Sequence, residues 1–342
     1  MKAPVGVAVG VGVGVGIATV ATIGIVLLAP VPVAGQGRST APAKPAASKS
    51  WVPPRTAWGE PDLQGTWTNR TITPLQRPTY QEGRQVLTDD EVAAQEEEAR
   101  TRNDRPPTPG NPGTYSQFWW EMGNTVIGKR TSLIVDPPDG RVPSLTPEAQ
   151  MAIAESRRGR GPADSWEDRS LFERCITRGL PGAMIPGFYN HNYQILQTPG
   201  YVAILIEMIH DIRIIPLDGR PHVGQGIRQW MGDARGHWDG NTLVVETTNF
   251  SDKTRSHGFF EGQEHMQLVE RFTRAGADAI DYQFTVTDPT TLARPWTAAI
   301  PMTRTSEQIF EFACHEGNEA IAGILAGQRA QEKAADEASK KR

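Results

Sequence analysis

Residues 268–286, which read LVERFTRAGADAIDYQFTV, decide the fold of this chain. In the second half of the stretch, Ile280, Tyr282, Phe284 and Val286 alternate with polar residues. This period of two is typical of a strand with one buried face. Residues 275–278 (Ala-Gly-Ala-Asp) separate it from an earlier run, so the stretch predicts two antiparallel strands joined by a tight turn.

The same pattern extends in both directions. Residues 296–302 alternate in the same way, and Thr198-Pro199-Gly200 divides two further apolar runs, 193–197 and 201–206. Asp-Gly pairs at 139–140, 218–219 and 239–240 each predict a hairpin. We count about ten candidate strands and find no strand–helix alternation. The sequence therefore predicts a mostly β, antiparallel up-and-down barrel of about 8–10 strands, with a sandwich as the alternative.

A few peripheral helices accompany the strands. Thr88 to Glu91 form a capping box before a helix that runs to about 102. Thr146 and Pro147 suit the start of a second helix over 146–156. Residues 319–342 carry Ile321 and Ile324 at helical spacing and predict a closing C-terminal helix with a charged tail.

The amino terminus predicts export. Lys2 is followed by an uncharged run up to Gln36, with small residues near position 34, as in a cleaved signal peptide over 1–35. An uncleaved membrane anchor is the alternative. Residues 36–60 are rich in Pro, Ala and Ser and predict a disordered linker before a barrel domain over 61–318. We expect a periplasmic or secreted protein with no stable membrane insertion after cleavage.

The net charge and the cysteines indicate which partners and which cross-link to expect. The net charge is −4, so nucleic acid is not expected as a partner. The chain has two cysteines, Cys175 and Cys314, and an exported protein with an even number predicts a disulfide between them. Two buried thiols that never meet are the alternative.

Familiar catalytic signatures, such as His-Glu-x-x-His or Gly-x-Ser-x-Gly, are missing from the sequence. The first candidate site therefore lies where a buried strand becomes polar. After the apolar residues 201–206 come Glu207, His210, Asp211 and Arg213. On a continuous strand Glu207, Asp211 and Arg213 share one face and His210 takes the other, so a bend near Met208 is needed to unite them. A structural acid–arginine pair is the competing interpretation.

Further candidates lie on other strands. Glu270 stands on an apolar face and needs an inward partner, such as an arginine, or a function. The extended segment 189–193 places two aromatic rings around a histidine, which suits a flat organic ligand. The catalytic candidates are Glu207, His210, Asp211, His237 and Glu270; the ligand-binding candidates are Tyr189, His191, Tyr193, Arg213, His222, Trp238 and Trp296. No metal-ligand spacing and no cofactor motif is present.

Several motifs together resemble a large, uncharacterised family of exported bacterial proteins. They are residues 61–69 (PDLQGTWTN), 136–141 (DPPDGR), 193–200 (YQILQTPG), 207–213 (EMIHDIR), 215–222 (IPLDGRPH), 236–240 (GHWDG), 269–272 (VERF) and 313–318 (ACHEGN). The resemblance covers about residues 60–330 and implies export and a shared fold, but no catalytic residue. The Gly-x-Trp start and the hairpin order are also similar to lipocalin-like barrels.

Two functions fit these expectations. The first is a binding protein that holds a small, largely apolar or aromatic organic ligand inside the barrel. The alternative is a barrel enzyme that uses histidine–carboxylate acid–base chemistry on a small organic substrate, as a hydrolase, lyase or isomerase. Convergence of Glu207, His210, His237 and Glu270 in one place would favour the enzyme.

Overall fold

The computed structural model describes residues 51–102, 120–156, 158, 161, 163–253 and 264–341. The predicted signal peptide (1–35) and most of the predicted linker lie outside these residues. The compact unit begins at Trp51. Residues 51–60, the end of the predicted linker, are part of it, because Arg55 pairs with Pro61 and its guanidinium donates to Asn241 Oδ1 (3.1 Å).

Within the described residues, eleven strands form one sheet of antiparallel pairs, which confirms the mostly β prediction. The strands are β1 (Gly65–Thr68), β2 (Ile134–Asp136), β3 (Asn192–Thr198), β4 (Tyr201–Ile206), β5 (Ile212–Pro216), β6 (Asp233–Asp239), β7 (Thr242–Thr248), β8 (Gln267–Gly276), β9 (Ala279–Thr287), β10 (Trp296–Ala299) and β11 (Met302–Arg304). Along the sheet the order is β5-β4-β3-β1-β11-β9-β8-β7-β6, while β10 pairs with β9 and β2.

The sheet curls into a nearly closed barrel. Its two end strands, β5 and β6, contact each other through the apolar interior. A Cβ atom on Gly236 would lie 2.8 Å from Ile215 Cγ2 and 2.7 Å from Leu217 Cδ2. Since real Cβ atoms do not approach so closely, glycine at this position lets the two end strands meet.

The order of the strands is sequential only in two blocks. β3 to β5 and β6 to β9 follow one another as hairpins, whereas β1 lies between β3 and β11. Trp67 of β1 is opposite Arg304 of β11, and its fully buried ring lies under the guanidinium groups of Arg274 (4.9 Å) and Arg304 (4.5 Å). This long-range pairing joins the first strand to the last.

The hairpin predictions had mixed outcomes. Asp239-Gly240 joins β6 to β7 in a hairpin, as predicted. The predictions for 139–140 and 218–219 were wrong, because these pairs follow β2 and β5 without joining either strand to a following neighbour in the sheet. Gly140 and Gly219 do have positive φ. The dipeptide therefore reports a local turn, not the pairing of the strands around it.

The three helices of the described residues agree with the predictions: α1 (Asp89–Arg102), α2 (Pro147–Ser156) and α3 (Ala320–Lys340). At the start of α1, Glu91 N donates to Thr88 Oγ1 and Thr88 N donates to the Glu91 carboxylate, which is the predicted capping box. In the part of the chain that the structure describes, no helix has the length and apolar character needed to cross a membrane.

The predicted disulfide is confirmed. Cys175 and Cys314 are bonded, and their Cα atoms are 5.6 Å apart. Cys314 does not end a strand. It lies in an irregular segment, residues 305–318, that follows β11 and that we call the C-terminal strap. The disulfide therefore fastens this strap to the segment that precedes β3.

Candidate functional site

The barrel interior contains a buried ion pair. Arg213 of β5 and Glu270 of β8 are both almost fully buried, and the guanidinium donates to both carboxylate oxygens. Tyr282 of β9 donates a third hydrogen bond to Glu270 Oε1 at 2.9 Å. The inward position predicted for Glu270 is confirmed, and its partner is an arginine. Glu270 therefore occupies the guanidinium of Arg213, which is a predicted ligand contact.

Aromatic rings fill the interior around this pair. Phe272 stacks on Tyr282 with ring centroids 4.6 Å apart, and Phe284 meets Trp296 edge to face at 5.2 Å. All four rings are fully buried and belong to one core cluster. Trp296, a predicted ligand contact, therefore lies in the packed core.

The strand predicted through Glu207 is interrupted, which corrects the predicted alternation of side chains. Residues Met208–His210 form a 3-10 turn, in which Ile209 and His210 have positive φ. The predicted bend near Met208 is therefore present. Its cause is visible in the hydrogen bonds of Glu207, a buried residue whose carboxylate accepts from the backbone N–H groups of Asn192 (3.3 Å) and Phe310 (3.1 Å).

The other residues of this turn separate. His210 is exposed, and its Nδ1 donates to the carbonyl of Phe312 in the strap at 3.2 Å. Asp211 accepts from Thr177 Oγ1 at 2.8 Å, and burial raises the pKa of its carboxyl group. Glu207 holds backbone amides while His210 faces solvent, so the turn does not join them into an acid–base pair.

His237 and Trp238 lie on β6, beside the Asp239-Gly240 turn. His237 is exposed, whereas Trp238 is half-buried and packs against the core. The convergence of Glu207, His210, His237 and Glu270 that would favour an enzyme is therefore not seen: none of the hydrogen bonds made by the two glutamates joins a histidine.

Two histidine–carboxylate pairs occur elsewhere among the described residues: an exposed one between the chain neighbours His265 and Glu264 (3.3 Å), and a more buried one that involves Asp233 of β6. His222 Nδ1 lies 3.0 Å from Asp233 Oδ2, and Arg235 donates to the other oxygen at 2.7 Å. Burial opposes ionisation of Asp233, but the hydrogen bonds from Val223 N, His222 and Arg235 outweigh it and lower the pKa of this carboxyl. The ionised carboxylate only accepts, so His222 carries its proton on Nδ1.

A second polar group of side chains lies where β1 ends and β3 begins. The register places Thr68, the last residue of β1, opposite Asn192, the first residue of β3. Asn69 and His191, the next residues beyond this pair, are therefore neighbours. Among the described residues, five buried polar atoms in this neighbourhood have no hydrogen-bond partner: Asn69 Oδ1, Arg70 Nε, Arg178 Nε, His191 Nδ1 and Asn192 Oδ1. Buried polar atoms in folded proteins almost always have partners, so such a concentration marks a place where polar groups await a ligand or water. We call these five residues the orphan cluster.

His191 is the best-defined member of the orphan cluster. Its side chain is 1% exposed, and Arg178 Nη1 lies 3.3 Å from its Nε2. A guanidinium can only donate, so Nε2 accepts and the imidazole proton is on Nδ1. Burial, and then the charges of Arg178 and Arg70, lower the pKa of His191 well below 6.5. The ring is therefore neutral at neutral pH, with a buried N–H donor that no described residue satisfies.

The two arginines of the cluster differ in their charge balance. Arg70 pairs with Glu121 (3.0 Å) and Glu307 (2.7 Å). Arg178 makes no ion pair with a described residue; the ionisable groups facing it are His191, Tyr189 and Tyr193, and burial lowers its pKa. Among the described residues, Arg178 therefore has no compensating carboxylate.

Tyr193 closes the cluster on the core side. Its ring is fully buried, and its hydroxyl donates to Ala183 O and accepts from Asn69 Nδ2 at 3.1 Å. Asn69 Nδ2 also donates to Met184 O, which fixes the amide so that Oδ1 is the free atom. Tyr193 therefore positions the site instead of standing open to it.

Aromatic side chains lie close to the cluster in the chain, because Phe188 and Tyr189 precede His191 by three and two residues and Tyr189 is among the ionisable groups facing Arg178. Tyr189 stacks on Phe312 of the strap with centroids 6.4 Å apart, and Phe188 meets Trp120 at 5.2 Å. The strap is held there by the bond of Phe310 N to Glu207 and by the Cys175–Cys314 disulfide. Tyr189 and His191, two of the predicted ligand contacts, lie near each other, but the prediction of a continuous extended segment over 189–193 was wrong, because Asn190 has a positive φ and β3 begins at Asn192.

Sequence reasoning missed Asn69 and Arg178. Asn69 directly follows β1 and reaches the site only because β1 pairs with β3, which lies more than a hundred residues further along the chain. Arg178 lies in an irregular segment between Cys175 and β3. The available signal was proximity to Cys175, because the disulfide fixes residues 175–191 near the strap. Among the described residues, no group of three or more His, Cys, Asp or Glu side chains is placed to hold a metal ion.

Compared with models of known protein families, with curated proteins and with solved structures, the chain gives no match.

Proposed function

We propose that this chain is an exported binding protein that holds a small organic ligand with an aromatic or apolar body at the barrel end formed by the orphan cluster. The observation that carries the proposal is the concentration of buried, partnerless polar atoms around His191. Leaving such atoms unpaired costs about 1–3 kcal/mol each. A ligand that supplies the missing partners recovers this free energy on binding.

Three features support the rest of the proposal. The neighbouring rings of Phe188, Tyr189 and Phe312 suit a flat ligand. The interior of the barrel is occupied by its own aromatic side chains, so the ligand belongs at the end and not at the centre. The signal-like residues 1–35 and the disulfide are consistent with export.

The test is native mass spectrometry of protein purified from its own host, with the co-purifying small molecule identified after release. We expect a stoichiometric adduct that His191→Leu loses, because leucine cannot partner the ligand. His237→Leu, an exposed histidine on β6, is the matched control and keeps the adduct. An adduct retained by a folded His191→Leu variant would place the site elsewhere.

A second candidate function, an acid–base enzyme, draws support from the His222–Asp233 pair. A carboxylate that fixes the tautomer of a half-exposed histidine leaves its Nε2 able to accept a proton. If this pair is catalytic, turnover of a substrate identified by activity screening falls by about a hundredfold or more in His222→Gln. Unchanged turnover in that variant excludes the pair as the acid–base group.

A further inference from the structure

The charge at the orphan cluster specifies one more property of the ligand. Arg178 Nη1 donates to a neutral acceptor, His191 Nε2, and its Nε is buried without a partner. The ring of Phe172 lies 5.7 Å from its guanidinium carbon, and Tyr189 and Tyr193 also face it. A cation that is removed from water among neutral groups is costly unless an anion joins it.

The neighbouring cations do not need that anion. Arg70 already pairs with two carboxylates, and Arg213 is held by Glu270 inside the barrel. The described residues therefore leave one positive charge, that of Arg178, without a compensating anion near His191. A single charge matches a monoanion, such as a carboxylate, better than a phosphate dianion.

The donors also match a carboxylate. His191 Nδ1–H and Arg178 Nε–H are both buried donors that lack acceptors among the described residues. The two side chains pack closely against Gly187. A Cβ atom at this position would lie 2.4 Å from His191 Nε2 and 3.3 Å from Arg178 Nη1, so a larger residue would force them to move. The orphan acceptors Asn69 Oδ1 and Asn192 Oδ1 can each accept a hydrogen bond from a hydroxyl or amino substituent on the same ligand.

We propose that the ligand is an aryl carboxylate, whose carboxylate is bound by Arg178 and His191 and whose ring lies among Phe188, Tyr189 and Phe312. This inference rests on the proposed function and adds the ligand class. Charge-assisted hydrogen bonds to the guanidinium hold the anionic group, and the rings of the strap side hold the body.

The test is isothermal titration calorimetry of the mature protein with benzoate, cinnamate and 2-naphthoate, each compared with its own carboxamide. Acid and amide have nearly the same shape, so their difference isolates the charge. We expect at least one acid to bind about tenfold or more tightly than its amide. Arg178→Gln abolishes that preference, Arg178→Lys keeps part of it, and Arg271→Gln, an exposed arginine on β8, leaves it unchanged.

Several outcomes overturn the inference. Equal affinity for acids and amides would overturn it. Inorganic phosphate that competes for the site as strongly as the best acid would also overturn it. If Arg178→Gln does not fold, the acid–amide comparison in the unmodified protein still decides. Failure of all six compounds while a neutral adduct is found by native mass spectrometry rejects the carboxylate and keeps the binding function. Absence of any adduct or binding rejects both.

Discussion

At the residue scale, the buried pair of Arg213 and Glu270 balances two costs. Burying either charge alone would cost the free energy of its lost hydration, and each residue compensates the other. Both charges are removed from water, and their mutual attraction with the Tyr282 hydroxyl offsets the loss of hydration. Alternation along β8 predicted that Glu270 points inward. It could not identify the partner, because β5 and β8 are far apart both in the chain and in the order of the sheet.

Breaking this pair is expected to destabilise the fold strongly. Glu270→Gln leaves the Arg213 charge buried without compensation and lowers the free energy of unfolding by about 3–5 kcal/mol. The double variant Arg213→Met, Glu270→Gln also removes the unpaired Arg213 charge, and we expect it to recover at least half of the lost free energy of unfolding. Urea unfolding followed by circular dichroism measures both. A loss below about 1 kcal/mol in the single variant would contradict a buried, charged pair.

His191 gives a prediction for pH. Its pKa is far below 6.5 in the folded state, so the unfolded chain takes up a proton first as the pH falls. The stability associated with the neutral ring is complete above about pH 6.5 and is lost progressively below it.

We therefore expect His191→Gln to show a smaller decrease in stability than the wild type between pH 7.5 and pH 5. The measurement is the urea midpoint at each pH. His237→Gln is the control, because its side chain is exposed in the folded protein as well as in the unfolded chain, and it should keep the wild-type slope. Parallel curves for wild type and His191→Gln would count against a buried neutral imidazole.

At the scale of elements, helix starts and three hairpins could be predicted from local sequence, whereas two of the three Asp-Gly hairpin predictions failed and the long-range strand pairings could not be predicted. The capping box of α1, the start of α2 and the hairpins β3–β4, β6–β7 and β8–β9 follow from residues close together in the chain. The break after β4 did not follow from hydrophobicity, because Ile209 and Ile212 continue an apolar pattern through it. The hydrogen bonds of Glu207 to Asn192 and Phe310 hold that turn, and both partners come from other parts of the chain.

The contact between β5 and β6 gives an element-scale prediction. Gly236→Ala places a methyl group against Ile215 and Leu217, so the end strands must separate or repack. We expect a loss of about 1–3 kcal/mol in the free energy of unfolding. Gly226→Ala is the matched control, because no atom lies within 4 Å of an added Cβ there. Equal stability of the two variants in urea would show that the strands do not close on each other.

At the scale of the whole molecule, the disulfide links the strap to the body of the barrel. The two cysteines are 139 residues apart, and a cross-link over such a loop stabilises the fold by up to about 5 kcal/mol on the chain-entropy model. We expect the double variant Cys175→Ser, Cys314→Ser to lose about 2–5 kcal/mol of the free energy of unfolding. We also expect it to bind the native ligand more weakly, because Phe312 is no longer tethered. Calorimetry and urea unfolding measure the two effects, and reduction of the wild type should reproduce them.

The pairing of β1 with β11 has a consequence for how the protein is made. Residues 65–68 leave the ribosome long before their partner residues in 302–304. A nascent chain that stops before Met302 lacks one neighbour of β1 and one guanidinium over Trp67. Contacts of such long range also form slowly. The barrel therefore cannot close before β11 has been synthesised, and a truncation that removes β11 is expected to leave an edge of β1 unpaired and open to aggregation.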